Sequence, residues 1–152
     1  MKILTSFQRM FWLLYQFLLI LEAVNGGSKR EMFDCATIHI CDCDLADDYE
    51  KCWKLSPTEG KERAIASFSE FFPGEYKIEE GMRPFTAEVC KRNDGGNTMF
   101  EVFTHIEREF KKYEKEVSSD PNRSEEAMQI HKSKECAMPI MAKCVEFGNQ
   151  CS

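Results

Sequence analysis

The residues whose type and spacing could do chemistry are eight cysteines: Cys35, Cys41, Cys43, Cys52, Cys90, Cys136, Cys144 and Cys151. Cysteine sulfur can bind zinc, act as a nucleophile or close disulfides. Half of the cysteines fall between Cys35 and Cys52, in CATIHICDCDLADDYEKC, among a dense run of acids. Structural zinc sites usually draw on closely spaced ligand pairs, and the chain contains no CxxC. The choice between thiol and disulfide therefore rests on the compartment.

Residues 1–26 carry the parts of a secretory leader. Lys2 and Arg9 make a positive start, Met10 to Leu21 is apolar apart from Gln16, and Val24 and Gly26 are small enough to precede a cleavage site. The apolar run is too short for the roughly 20 residues that span a bilayer. Cleavage is expected after Gly26, leaving residues 27–152 as one domain that is not membrane-embedded. An exported chain this rich in cysteine is expected to close four disulfides. Oxidised sulfurs then leave no thiol nucleophile and no thiolate ligand.

The other chemistries are weakly supported. Asp42, Asp44, Asp47 and Asp48 could suggest calcium. An EF-hand loop started at Asp42 would need glycine at Asp47 and glutamate at Trp53, so its pattern fails. The acids read instead as a solvated face with helix-capping aspartates. The three histidines, His39, His105 and His131, read as structural or surface residues, with no HExxH and no GxSxG. A phospholipase A2 would require a histidine directly beside a cysteine pair, which is missing. Helical odorant carriers of insects share the general class, but their CxxxC spacing is also missing. No catalytic, cofactor-binding or metal-binding residue is assigned, and no cofactor is expected. Asn122-Arg123-Ser124 is an N-glycosylation sequon in a loop, so Asn122 is a candidate acceptor.

Net charge narrows the partners. Removing the leader takes away Lys2, Arg9 and Glu22 and leaves 18 basic and 25 acidic side chains, a net charge of −7. No basic run exceeds a pair such as Lys91-Arg92, which argues against nucleic acid. The charge suits solubility in an extracellular fluid.

The elements that position these residues read as helices. Leu45, Tyr49, Cys52 and Trp53 recur on one helical face. Ser56-Pro57-Thr58-Glu59 predicts a helix start with serine as N-cap, proline in the first turn and a capping box. That helix carries Ile65, Phe68, Phe71 and Phe72 and ends at Pro73-Gly74. A short helix is expected over residues 85–92. Residues 98–117 are the clearest element. Thr98 and Glu101 predict a second capping box, and Met99, Val102, Phe103, Ile106, Phe110, Tyr113 and Val117 fall within an arc of about 100°. The last helix starts at Ser124, shows Ala127, Ile130, Ala137, Met138, Met141 and Val145 on its apolar face, must kink or split at Pro139, and ends at Gly148. His131 falls on that apolar side.

Helix geometry also limits the disulfides. A bond needs Cα atoms within about 7 Å. At about 1.5 Å per residue, a continuous helix from Cys35 to Cys52 would hold its four cysteines too far apart, or facing too differently, to pair with one another. Each must then reach one of the other four, which allows 24 pairings. At least two bonds are expected to join this segment to residues 136–151. A break near Asp44 would relax the restriction and let Cys35, Cys41 or Cys43 reach Cys52.

The expectation is an all-α, disulfide-stapled bundle of about five helices, secreted and monomeric. Its function is read as non-catalytic recognition of another extracellular protein, in the manner of a toxin-like or regulatory effector. Two other readings stand beside it: carriage of a small hydrophobic ligand between the helices, and a small secreted enzyme of an unrecognised kind.

Overall fold

A computed structural model describes residues 29–151. The leader and its cleavage site lie outside the described residues. Backbone contacts divide the chain into residues 1–33 and 34–152. Of the first unit, residues 29–33 are described and are helical.

The second unit is all helical, with no strand among the described residues. Helix α1 covers residues 34–41. It is followed by α2 (Ala46–Leu55), α3 (Thr58–Ser69), α4 (Arg83–Lys91), α5 (Asn97–Ser118) and α6 (Ser124–Phe147). Short 3-10 turns at Ile78–Glu80, Asn93–Gly96 and Pro121–Arg123 connect them. No described helix is long and apolar enough to cross a membrane.

The chain breaks after α1 because Asp44 takes a left-handed conformation, φ 60°, which aspartate tolerates better than most side chains. Neither Asp42 nor Asp44 caps α2, whose N-cap is Leu45. The next turn is so tight that the expected capping box does not form. Ser56 closes α2, donating its backbone N–H to Trp53 O, and Pro57 is left as the extended N-cap of α3. At α5 the helix starts one residue early, at Asn97 after left-handed Gly96. Asp94 does the capping there, and its Oδ2 accepts from both the Thr98 N–H at 3.0 Å and the Thr98 hydroxyl at 2.6 Å.

Helix α5 is the central element, packed against α3 and α6, while α2 runs along α6. Its face buries Met99, Val102, Tyr113 and Val117 as its spacing predicts. Tyr113, Val117 and Ile130 form one core cluster, flanked by Phe110 and Ala127. Gly60 on α3 permits this approach, since a Cβ there would lie 3.1 Å from Tyr113 and 3.2 Å from Phe110. A second apolar group centres on buried Phe68, whose ring lies 5.1 Å from Phe72, 5.1 Å from Tyr76 and 6.2 Å from Phe85.

Helix α6 runs through Pro139 without splitting, so of the two expected effects of that proline the split does not occur. The buried face also runs differently: Ile140 is buried, whereas Met138 is 68% exposed. Gly148, φ 57°, ends the helix as expected.

Candidate functional site

The four N-terminal cysteines do not pair among themselves. The bonds are Cys35–Cys144, Cys41–Cys90, Cys43–Cys151 and Cys52–Cys136, with Cα separations of 5.1–5.9 Å. Three of them join the N-terminal segment to residues 136–151, and this is one of the 24 pairings that a continuous helix would allow. The break at Asp44 is real, yet no cysteine uses it to reach Cys52. Instead α1 is tied to α4 and α6, and α2 to α6.

His39 lies fully inside this network. Its Nε2 is 3.0 Å from Gly148 O and 3.1 Å from Gln150 O. A ring nitrogen facing two carbonyls must carry the hydrogen, so the Nε2–H tautomer is present and bridges α1 to the C-terminal turn. The sulfurs of Cys35 and Cys144 each lie 3.7 Å from the ring. Among the described residues these three side chains form the one cluster with metal-ligand spacing. They are no metal centre in this state, because both sulfurs are spent on the Cys35–Cys144 bond. For the same reason the Cys35 sulfur, 3.0 Å from Gly148 O, touches that oxygen without a hydrogen to donate.

The other imidazoles sit differently. His105 accepts from Arg108 at Nδ1. Its Nε2 lies 3.1 Å from Glu70 Oε2, but without the geometry of a hydrogen bond. His131 is 71% exposed beside Glu135, on the solvent side of α6 rather than the apolar side expected. The acidic run is partly spent on ion pairs, Asp42 with Arg92 and Asp48 with Lys51.

Helix periodicity gives no sign of the ion-pair network at one end of the bundle. Tyr113, fully buried, has the Arg63 guanidinium 4.9 Å and the Arg123 guanidinium 5.4 Å from its ring centre. Arg63 bonds Glu59 and Glu116, each at 2.6 Å. Arg123 bonds Glu59 at 2.5 Å and Glu126 at 2.6 Å. Tyr113 donates its hydroxyl hydrogen to Glu126 at 2.7 Å. Hydrogen bonds from Arg123, then Tyr113, pull the Glu126 carboxyl down to about 2. Burial, then the Glu126 bond, pushes the Tyr113 phenol up. The network ties α3, α5 and α6 together, and its partners satisfy one another.

Buried polar atoms left unsatisfied mark a different place. Thr37 Oγ1, Thr104 Oγ1, Tyr49 Oη and Trp53 Nε1 are, like His105 Nε2, shielded from solvent with no hydrogen-bond partner among the described residues, and only Tyr49 and Trp53 stand a full turn apart on one helix. Both rings are partly exposed, so their polar tips point inward, the reverse of the usual arrangement. They lie one turn apart on α2 and share the face that carries Cys52. Amphipathic spacing had placed them on that face but could not show that their polar atoms go unpaired.

The fold and its sulfurs define a class, an all-α domain stapled by four disulfides. The chain matches no protein-family model, no curated protein and no solved structure.

Proposed function

We propose that this is a secreted, non-catalytic binding protein that recognises another extracellular protein. The observation that carries the reading is Met138, an apolar side chain on α6 that is 68% exposed. Met128 at 51% and Leu55 at 44% add further exposed apolar surface. An exposed methionine suits recognition because its flexible thioether adapts to varied partners. Four disulfides with no free cysteine among the described residues suit an extracellular setting. Asn122, exposed in the turn Pro121–Arg123, is the N-glycosylation site on this reading.

A photo-crosslinking residue at Met138, in protein secreted from eukaryotic cells, tests recognition. One adduct should form in the native fluid, competed by the unlabelled protein and not by a Met138→Glu variant. Failure to form it, or equal competition by both, overturns the reading. Mass spectrometry of the same material should find an N-terminus at Gly27 and a glycosidase-sensitive adduct at Asn122.

Tyr49 and Trp53 favour a second reading, carriage of a small hydrophobic ligand. Two unpartnered buried donors on one helix face suit a molecule that brings an acceptor with it.

A further inference from the structure

We propose that the α2 face carrying Cys52 holds an apolar ligand with a neutral oxygen acceptor, such as an ester, and that Tyr49 Oη–H and Trp53 Nε1–H donate to that oxygen. The inference rests on the carrier reading and specifies its ligand.

The first support is cost. A buried donor without a partner forfeits about 1–3 kcal/mol, and buried polar groups are hydrogen-bonded in the great majority of cases. Two such donors stand one helical turn apart, where side-chain origins are about 5–6 Å from each other.

The second support is placement. Tyr49 and Trp53 lie within about 100° of Cys52 around the helix. Cys52 is bonded to Cys136 on α6, so this side of α2 is the one tied to the bundle. On α6 the positions one turn either side of Cys136 are Ser133 and Ile140, both buried. The Ser133 hydroxyl already donates to Ile130 O at 3.1 Å. The two α2 donors therefore share the half of the helix that Cys52 ties to α6.

The third support concerns charge. The Tyr49 phenol is pushed up by burial, with no charged neighbour contributing. A carboxylate ligand would carry its charge into a site where burial already disfavours the charged form of Tyr49, at a high desolvation cost. A neutral carbonyl or ester oxygen carries no such penalty.

Trp53 makes the test direct. The chain has two tryptophans, and Trp12 lies in the leader, so the mature protein reports on Trp53 alone. Secreted protein labelled with 15N would be titrated with methyl octanoate and, separately, with the octanoate anion. N-phenyl-1-naphthylamine fluorescence would report apolar binding of any kind. The expected result is saturable displacement of the dye by the ester and a downfield shift of the indole N–H resonance. The anion should bind at least about tenfold more weakly, and Tyr49→Phe should weaken the ester roughly fivefold with the circular dichroism unchanged. If dye and ester bind but the indole resonance stays fixed and Tyr49→Phe changes nothing, this assignment falls while the carrier reading stands. If neither dye nor ester binds, both fall.

Discussion

Tyr113 donates its hydroxyl hydrogen to Glu126 Oε2 across 2.7 Å, while Arg123 grips the same carboxylate and stacks near the same ring. Glu126 is thereby held at about 2, against an ordinary 4.5. Because the folded-state value is depressed, the stabilisation is present above about pH 4.5 and is lost as pH falls toward 2. Glu116, lowered chiefly by Arg63, acts in the same direction. Denaturant unfolding of the disulfide-intact protein should therefore weaken through this window. Glu126→Gln should flatten the profile there, and an unchanged slope would remove the network from the account of acid stability.

Gly60→Ala should destabilise the fold by about 1–3 kcal/mol through overpacking. The usual gain from alanine in a helix is smaller, at about 0.5–1 kcal/mol. The sign depends on whether Tyr113 can yield, and it is held by two guanidiniums and a carboxylate. Chemical denaturation of both proteins decides it, and a stabilised variant would show that the ring moves freely.

His39→Ala should cost about 2–4 kcal/mol, from the lost buried ring and from the Gly148 and Gln150 carbonyls left without their donor. The C-terminal turn would be loosened with it. Cys43–Cys151 should then be reduced by a dithiol faster than in the parent, while Cys41–Cys90, away from that turn, keeps its rate. Mass-spectrometric alkylation time courses separate the two bonds.

Peptide mapping of the non-reduced protein should recover links 35–144, 41–90, 43–151 and 52–136. Replacing Cys52 and Cys136 together by serine opens a sequence separation of 84 residues and should cost roughly 2–5 kcal/mol. Thermal unfolding against the parent measures it.

Much of the helical layout was legible from residue spacing. The α5 stripe from Met99 to Val117 is buried where its period predicts, and Gly148 ends α6 as turn chemistry requires, whereas α3 ends at Ser69, short of Phe71, Phe72 and the expected stop at Pro73-Gly74. Less legible were the helix starts, where near neighbours compete for one role. Asp94 displaced the Thr98–Glu101 box, and the tight Ser56-Pro57 turn removed the other. The exposed Met138 and buried Ile140 were missed because an apolar stripe on α6 does not say which of its edges faces a neighbour.

By itself the sequence determined the helical class, and helix rise limited the cysteine pairings only for a segment unbroken from Cys35 to Cys52, which the turn at Asp44 interrupts. Only the tertiary structure decided which of the remaining pairings forms. Only there do Glu59, Arg63, Tyr113, Arg123 and Glu126 become a single network, and Tyr49 and Trp53 buried donors without acceptors. The physical reason is reach. Periodicity fixes the face of a helix on which a side chain sits, but a hydrogen bond or a disulfide is settled within a few ångströms, by how separate helices are set against one another.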